Sequence, residues 1–386
     1  MKIAIIGEQY SANLGDGVIC ETVKGIVNEN FDCETIGIDI SGASKFQEEY
    51  VQGNIIRNKK IKKNKLYLIL RNFYRKIKKL KSELERVIRV KISLQKSLDS
   101  DVKLIIFAGG QLFMDYFVFP IYITVRYAKK NNIPIIFNSC GIGENNSLIK
   151  RYILKKALNY SNIKVISVRD NLEKFIQLYG NNNCNIVQTL DPAIHVKKYY
   201  NIDPSIKRDV IGVGVITPST FAKKGLSYSE EQYIKLNSDI IKFLNGNEYK
   251  WKIFTNGNEE DYEFLLLLAE KFNIKEHIVD RPKEPRELVD LLNSFSMIIS
   301  FRLHSHIIAN SIGIPSVGFV WDKKVREYSE IINNEKNFFD LEMKNLNQDV
   351  IKRLKDILGN KREINYSQKL ISTEEFLRCE IKKVIS

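Results

Sequence analysis

Three side chains that could bind a small anion and move a proton stand close together in the second half of the chain. Arg302 and His304 directly follow an apolar run typical of a buried strand, and Lys324 follows the next such run. Because the carboxyl ends of parallel strands meet at one edge of a sheet, we expect these cationic groups to converge there. Arginine binds phosphate or carboxylate through paired hydrogen bonds, and histidine is the usual general acid or base near neutral pH. The pattern predicts a site for a multiply charged small anion, with proton transfer beside it.

Polar residues and glycines also follow the strands predicted in the first half. These candidates are Asn13, Asp16, Gly109, Gly110, Asp115 and Arg169. Paired glycines let backbone amides approach an anion or a hydroxyl, Asp115 could orient a sugar hydroxyl, and Arg169 could bind phosphate or carboxylate. Structural interpretations remain open beside these, with Asp16 as a helix cap and Arg169 in an ion pair with Asp170.

Other familiar sites are excluded or disfavoured by the sequence. It contains neither a phosphate-binding P-loop nor the glycine fingerprint of dinucleotide-binding folds. The five cysteines are widely spaced and odd in number, which argues against a disulfide framework or zinc site and fits a reducing cytosol. The acidic pair Asp99 and Asp101 precedes a strand, at the wrong edge of the sheet, and His306 is expected to pack rather than share a metal with His304. We therefore expect no metal and no cofactor.

Apolar runs of strand length alternate with amphipathic stretches of helix length along most of the chain. This alternation predicts an α/β fold with parallel sheets covered on both faces. A polar stretch near 195–208 separates two such halves, so we expect a first domain over 1–200 and a second over 208–362. A last helix within 363–386 has no strand after it and could cross back to the first domain.

A basic insert interrupts this rhythm in the first domain. Residues 57–96 contain 16 Lys or Arg and 2 Glu, while the rest of the chain has equal numbers of basic and acidic residues. The net charge of +14 therefore belongs to this insert, which argues against a nucleic-acid groove built into the fold and predicts no nucleic-acid partner.

The insert is predicted to form an amphipathic helix. One apolar seam recurs at alternating spacings of four and three, at Leu66, Leu70, Phe73, Ile77, Leu80, Leu84 and Val87. Two interpretations stay open: the seam packs on the body or on a partner helix, which would allow a homo-oligomer, or it lies on an anionic membrane surface. No stretch of the sequence approaches 18 uninterrupted apolar residues, and its start lacks the pattern of a secretory signal.

Taken in order, these motifs resemble those of the polysaccharide pyruvyl transferase family. The resemblance covers about residues 3–335: NLGD after the first strand, GG-x-LF after a later one, VRD at a strand end, TLDPA, and ISFRLHSHIIANSIGIPSVGFVWDKKV. Ala108 departs from the family, in which three consecutive glycines are common at this point, and the basic insert is not a family hallmark.

The resemblance implies a GT-B-like fold, with a cleft between two Rossmann-like domains. It implies transfer of a pyruvyl group from phosphoenolpyruvate onto two hydroxyls of a sugar, giving a cyclic ketal in a cell-surface polysaccharide or its lipid-linked precursor. His304 would be the acid or base, and Arg302, Lys324 and Arg169 would hold the donor. The acceptor would meet Asn13, Asp16, Gly109, Gly110 and Asp115.

Two other functions remain open at this stage. A nucleotide-sugar glycosyltransferase of the same fold could use the Arg and Lys pair to hold a diphosphate. A non-catalytic assembly protein could use the basic helix alone at a membrane surface. Under all three interpretations we expect a cytoplasmic protein, with peripheral attachment at the inner face of the plasma membrane if the helix binds lipid.

Overall fold

The computed structural model describes residues 1–46, 65–144, 147–180, 183–203, 205–359, 370 and 372–385. The first half contains β1 (Lys2–Gly7), α1 (Leu14–Asn30), β2 (Glu34–Asp39), α2 (Lys65–Ser97), β3 (Val102–Phe107), β4 (Gly110–Phe113), α3 (Val118–Lys130), β5 (Ile135–Phe137), β6 (Cys140–Ile142), α4 (Leu148–Leu158), β7 (Ile163–Val168), α5 (Leu172–Tyr179) and β8 (Asn185–Gln188). A 3₁₀ turn (Pro192–His195) and α6 (Val196–Tyr199) follow.

The second half repeats the alternation of strand and helix. It contains β9 (Val210–Gly214), α7 (Ser219–Lys223), α8 (Glu230–Gly246), β10 (Trp251–Phe254), α9 (Glu259–Phe272), α10 (Pro285–Asn293), β11 (Phe295–Ser300), α11 (Leu303–Ser311), β12 (Ser316–Val320), α12 (Lys323–Ile331), β13 (Phe338–Asp340), α13 (Leu346–Gly359) and α14 (Thr373–Ile385). Short 3₁₀ turns stand at Lys275–His277 and Glu335–Asn337.

Two parallel sheets organise these elements. The first has six strands in the order β2-β1-β3-β5-β7-β8, and the second has five in the order β10-β9-β11-β12-β13. All pairings within both sheets are parallel, and a small parallel pair, β4-β6, stands beside the first sheet. Strands such as β1, with five of its six residues buried, are apolar on both faces because helices cover both sides. The prediction of two Rossmann-like domains with parallel sheets is confirmed.

Helix α1 connects the two halves through a shared core. It packs on β1 of its own sheet and also against α10 and α11 of the second half. Its first backbone amide, at Leu14, donates to the carbonyl of Asn256 at 3.1 Å. Gly257, with φ of +97°, lies so close to Leu14 that a Cβ there would approach its Cγ to 2.5 Å. The start of α1 is therefore set by a loop of the other half.

The last helix returns to the first half. Helix α13 packs on α8 and β13 in the second half, whereas α14 contacts α1 and β3. The hydroxyl of Thr373 is bonded to the carbonyl of Leu190, and Lys198 bridges to Glu374 at 2.8 Å. The expected C-terminal segment 363–386 lies outside the described residues except for 370 and 372–385.

From Lys65 onward the basic insert forms one long helix, and its second part packs on the body. Val90 and Leu94 of α2 are buried in the core of the first half. Of the predicted seam, Ile77, Leu80 and Leu84 are exposed, so these side chains do not pack on the body. Residues 57–64, and the side chains at 66, 70 and 73, lie outside the described residues.

Candidate functional site

The cationic residues of the second half lie at the carboxyl edge of its sheet. Arg302 follows β11 and occupies the position before α11, His304 lies in the first turn of α11, and Lys324 lies in the first turn of α12. Arg302 has no acceptor atom in its side chain with which to cap α11, so the first amides of that helix receive no side-chain cap. The partial positive charge of a helix start adds to that of the side chains, which favours an anion here.

His304 is enclosed by residues of the first half. Its Nε2 lies 3.4 Å from Nη1 of Arg169 and 3.9 Å from Oδ2 of Asp191. Its other side faces Gly15: a Cβ at that glycine would lie 2.3 Å from the Nδ1 of His304 and 2.4 Å from its Cβ. The imidazole is only 5% exposed, and it therefore occupies the junction of the two domains.

The surroundings keep His304 neutral. Burial lowers its pKa to about 3; the carboxylate of Asp16 acts against this shift, and the positive charges of Arg169, Lys324 and Arg302 add to it. A neutral imidazole can accept a proton, which suits a general base better than a resident acid.

Arg169 is held at the end of β7 by two carboxylates. Its Nη1 forms an ion pair with Asp191, and its Nε lies 3.4 Å from Oδ1 of Asp170. Burial opposes the charge of the guanidinium, but both carboxylates outweigh it, so the pKa of Arg169 is raised. Asp191 also accepts the amide of Ala193 at 2.9 Å at the start of the 3₁₀ turn. Asp191 therefore both orients Arg169 toward His304 and caps the 3₁₀ turn.

Arg302 is positioned by an aspartate that lies elsewhere in the sequence. Its Nε donates to Oδ2 of Asp261 at 2.9 Å, and its Nη2 pairs with the same oxygen. Asp261 is fully buried and its Oδ1 accepts the amide of Thr217 at 2.8 Å. The charge of Asp261 is therefore fully hydrogen-bonded, and the guanidinium of Arg302 is fixed in one orientation.

Lys324 stands among positive neighbours. Burial lowers its pKa, the carboxylate of Asp322 opposes the shift, and the guanidinium of Arg169 adds to it. Asp322 caps α12 by accepting the amide of Lys324 at 3.2 Å. Arrival of an anion would relieve the repulsion among these cations, so anion binding and the protonation of Lys324 are coupled.

Lys224 links the two halves beside this cluster. Its ammonium lies 2.9 Å from Oδ2 of Asp322 in its own half and 2.9 Å from Oε1 of Glu144 in the first half. Burial acts to lower the pKa of Lys224, but both carboxylates more than compensate, so its pKa is raised.

The predicted acceptor-side residues fall into two groups. Asn13 and Asp16 lie on either side of Gly15: Nδ2 of Asn13 donates to Oδ2 of Asp16 at 2.9 Å. Gly110, with φ of +81°, passes beside them, since a Cβ there would lie 3.5 Å from Oδ1 of Asp16. Gly109 also needs its positive φ of +122°, and it packs against the backbone of Asn138. Asn13 and Asp16 flank Gly15, which faces His304, and Gly110 lies beside Asp16.

Asp115 lies away from that group. Its carboxylate accepts the amide of Ser147 at 3.2 Å, and its carbonyl accepts a bond from Lys150 at 3.1 Å. The structure therefore gives Asp115 contacts with the start of α4.

Two further carboxyl groups near the site were not singled out from the sequence. Glu8 directly follows β1; burial and the charges of Asp16 and Asp39 raise its pKa well above its usual value. Glu327 lies one turn after Lys324 on α12, and burial, with the nearby Asp170 carboxylate, raises its pKa to about 7. Glu8 could have been found from the sequence, because it stands at the end of a predicted strand. The burial of Glu327 depends on the packing of the domains, so its sequence gives no such signal.

A cleft opens between the halves next to this cluster. It encloses about 1520 Å³, including solvent at its mouth, and a smaller cavity of about 480 Å³ adjoins it. Asp170, Lys324 and Glu327 line both cavities, and Arg169 and Asp191 line the smaller one. His304 is not among the residues that line either cavity, but its Nε2 lies within 3.4 Å of Arg169 and 3.9 Å of Asp191, which line the smaller one.

Comparisons with known proteins agree with this architecture. A family model described as polysaccharide pyruvyl transferase matches residues 13–323. No curated protein matches the chain at a significant level. Among solved structures, UDP-GlcNAc 2-epimerase from Methanocaldococcus jannaschii is 11% identical, with a TM-score of 0.56 over 99% of this chain and 100% of that one. MnaA of S. aureus bound to UDP is 12% identical, with a TM-score of 0.58 over 100% and 96%. These two likenesses show a shared GT-B-like fold.

Proposed function

Since this chain belongs to the polysaccharide pyruvyl transferase family, we propose that it transfers a pyruvyl group from phosphoenolpyruvate to two hydroxyls of a sugar. The product is a cyclic ketal on a cell-surface polysaccharide or its lipid-linked precursor. The observation that carries this proposal is the convergence of Arg169, Arg302 and Lys324 around a neutral, buried His304 where two parallel sheets meet.

The cations match the charges of the donor. Phosphoenolpyruvate carries a phosphate and a carboxylate on three carbons, and a guanidinium binds either group with paired donors. Arg302 and Lys324 would hold these groups from the second domain, and Arg169 from the first. Because Asp261 and Asp191 fix the two guanidinium groups, little reorganisation is needed when the donor arrives.

The reaction needs one proton delivered to carbon and two removed from hydroxyls. Protonation of C3 of the enol phosphate creates an oxocarbenium ion at C2. One sugar hydroxyl attacks C2 and gives up its proton, the C2–O bond to phosphate breaks, and the second hydroxyl closes the ring. Of the two protons released by the hydroxyls, one restores the proton that the protein gave to C3, and the other leaves with phosphate.

We assign the two proton-transfer roles to different groups. His304, being neutral, would accept the proton of the attacking hydroxyl, a role worth about 10²–10⁴-fold in rate. Glu327 has a pKa of about 7 and lines the cleft beside Lys324, so it would be the proton donor to C3. Asn13 and Asp16, with the backbone at Gly109 and Gly110, would contact the sugar from the first domain, and Asp115 would act at the edge of that surface.

Donor binding tests the proposal directly. We expect phosphoenolpyruvate to raise the unfolding temperature of the protein, and UDP to have no effect. Incubation of the donor with synthetic glycosides should release phosphate and add a carboxyethylidene group that mass spectrometry detects. Stabilisation by UDP together with no response to phosphoenolpyruvate would instead assign the cleft to a nucleotide-sugar glycosyltransferase.

A further inference from the structure

Large apolar side chains project into solvent from two neighbouring helices of the first domain. Six of them form what we call the apolar rim: Ile77, Leu80 and Leu84 on α2, and Leu148, Ile149 and Tyr152 on α4. Leu80 is 68% exposed and Leu148 is 75% exposed. Soluble domains rarely leave so many large apolar side chains in one region in contact with water, and such regions mark interaction surfaces.

On α2, the exposed residues of the apolar rim lie in the first part of the helix, before the residues that pack on the domain. Ile77, Leu80 and Leu84 are spaced by three and four positions, so they form one stripe along the helix. Val90 and Leu94 of the same helix are buried in the domain core. Helix α2 is therefore attached to the domain through its second part, and the apolar stripe formed by Ile77, Leu80 and Leu84 is left exposed.

The two parts of the apolar rim are joined to each other and to the cleft. Lys150 of α4 forms an ion pair with Glu83 of α2, which holds the two helices together. Arg151, between Ile149 and Tyr152, lines the cleft between the domains. The apolar rim thus stands at the border of the cleft.

Basic residues flank the apolar rim. Lys78 and Lys79 are exposed next to Ile77 and Leu80 on α2. Lys155 and Lys156 are exposed at the end of α4, and that helix contains no acidic residue. Apolar side chains bordered by lysines match the two layers of a lipid surface, in which acyl chains lie beneath negatively charged headgroups. A partner helix would explain the apolar stripe on α2 but not the lysines around both helices.

We propose that the apolar rim docks this protein on an anionic lipid bilayer. The rim side chains enter the boundary between headgroups and acyl chains, while the lysines pair with lipid phosphates. None of the helices among the described residues is long and apolar enough to cross a bilayer, so this is attachment to one face. Attachment through the apolar rim places the mouth of the cleft at the lipid surface.

Vesicle flotation of the full chain, without any substrate, tests this proposal independently of the reaction. We expect binding to vesicles of phosphatidylcholine mixed with phosphatidylglycerol, and weak binding to phosphatidylcholine alone. The double substitutions Leu80→Gln with Leu84→Gln, and Leu148→Gln with Ile149→Gln, keep the charge constant. Each should lower partitioning by at least about tenfold, since apolar contact with the bilayer is lost.

Leu266 and Leu267 provide a matched control on α9 of the second domain, where they are 43% and 63% exposed. Their double change to Gln should leave partitioning unchanged. Binding of both rim variants at the wild-type level would overturn the proposal. The proposal would also be overturned if the wild-type chain failed to float with anionic vesicles and instead formed a dimer, seen in sedimentation velocity, that the α2 substitutions dissociate.

Discussion

Gly15→Ala probes whether the two domains meet as closely as the structure shows. The backbone of Gly15 does not have a positive φ, so alanine fits its conformation, and alanine favours a helix. The only penalty comes from contact, because the new Cβ would lie 2.3 Å from Nδ1 and 2.4 Å from Cβ of His304. The Cβ of His304 is fixed to the backbone of α11, so rotation of the imidazole alone does not relieve the overlap.

The expected effect follows from the cost of overpacking. An extra methyl group in a packed interior costs about 1–3 kcal/mol. If that cost falls on the closed, active arrangement, kcat/KM for phosphate release should drop by about 5- to 150-fold. Displacement of His304 alone would lower kcat, and a cleft held open would chiefly raise KM.

Gly246→Ala is the matched control for this substitution. Gly246 is the last residue of α8, and outside its chain neighbours and the backbone of its own helix no atom lies within 4 Å of the position its Cβ would take. We expect this variant to keep full activity and an unchanged or higher unfolding temperature. If Gly15→Ala retained activity within about twofold of the wild type, the packing of His304 against α1 would not be part of the active arrangement.

Four other substitutions test the site. His304→Gln should lower kcat by about 10²–10⁴-fold in the phosphate-release assay, and unchanged turnover would remove His304 from proton transfer. Asp261→Asn keeps the acceptor for the amide of Thr217 but removes the charge paired with Arg302, so urea unfolding should show a loss of about 3 kcal/mol; no loss would mean that the pair is not formed. The folded-state pKa of Glu327, about 7, exceeds its usual 4.5, so its ionisation opposes folding, and stability falls as pH rises between these values. Glu327→Gln should therefore be the more stable protein above pH 7, by up to about 3 kcal/mol in urea unfolding, and equal stability there would contradict its burial. Lys224→Met removes the bridge between Glu144 and Asp322 and should raise KM several-fold while leaving kcat nearly unchanged; a selective fall in kcat would assign Lys224 to chemistry instead.

The sequence predicts the convergence of the cations in the candidate site because of a property of parallel sheets. Arg302, His304 and Lys324 follow strands that are apolar throughout, and such strands end at the same edge. Arg169 ends a strand of the other sheet, and the structure brings it within 3.4 Å of His304. These positions depend on the pattern of buried strands, which is strong in both halves.

The partners of these cations could not be predicted in the same way. Asp261 lies 41 positions before Arg302, on a different helix, and nothing in its local sequence marks it as a buried counter-ion. Asp191 looks like a turn residue, and its second contact, with Arg169, exists only once β7 and the 3₁₀ turn are adjacent. Glu327 has an unremarkable place in a helix, and its raised pKa comes from burial at the domain junction.

Some elements of the fold were also hidden from sequence reasoning. Strand β2, ETIGID, mixes polar and small residues because it stands at the edge of its sheet, where one side is left open. Strand β13 is only three residues long. The seam of α2 predicts a buried face, but the side chains at 77, 80 and 84 point outward, since amphipathic spacing does not say what covers an apolar face.

The chain passes between its two domains twice, once after α6 and once between α13 and α14. Both crossings join the same two domains, so the second domain is attached to the first at each of its ends. Any widening of the crevice for a bulky glycan moves α11 away from α1, because these two helices pack on each other across the domains. A label attached after Ile385 would travel with the amino-terminal lobe, so a distance measured from it to a second label on α9 would report that opening.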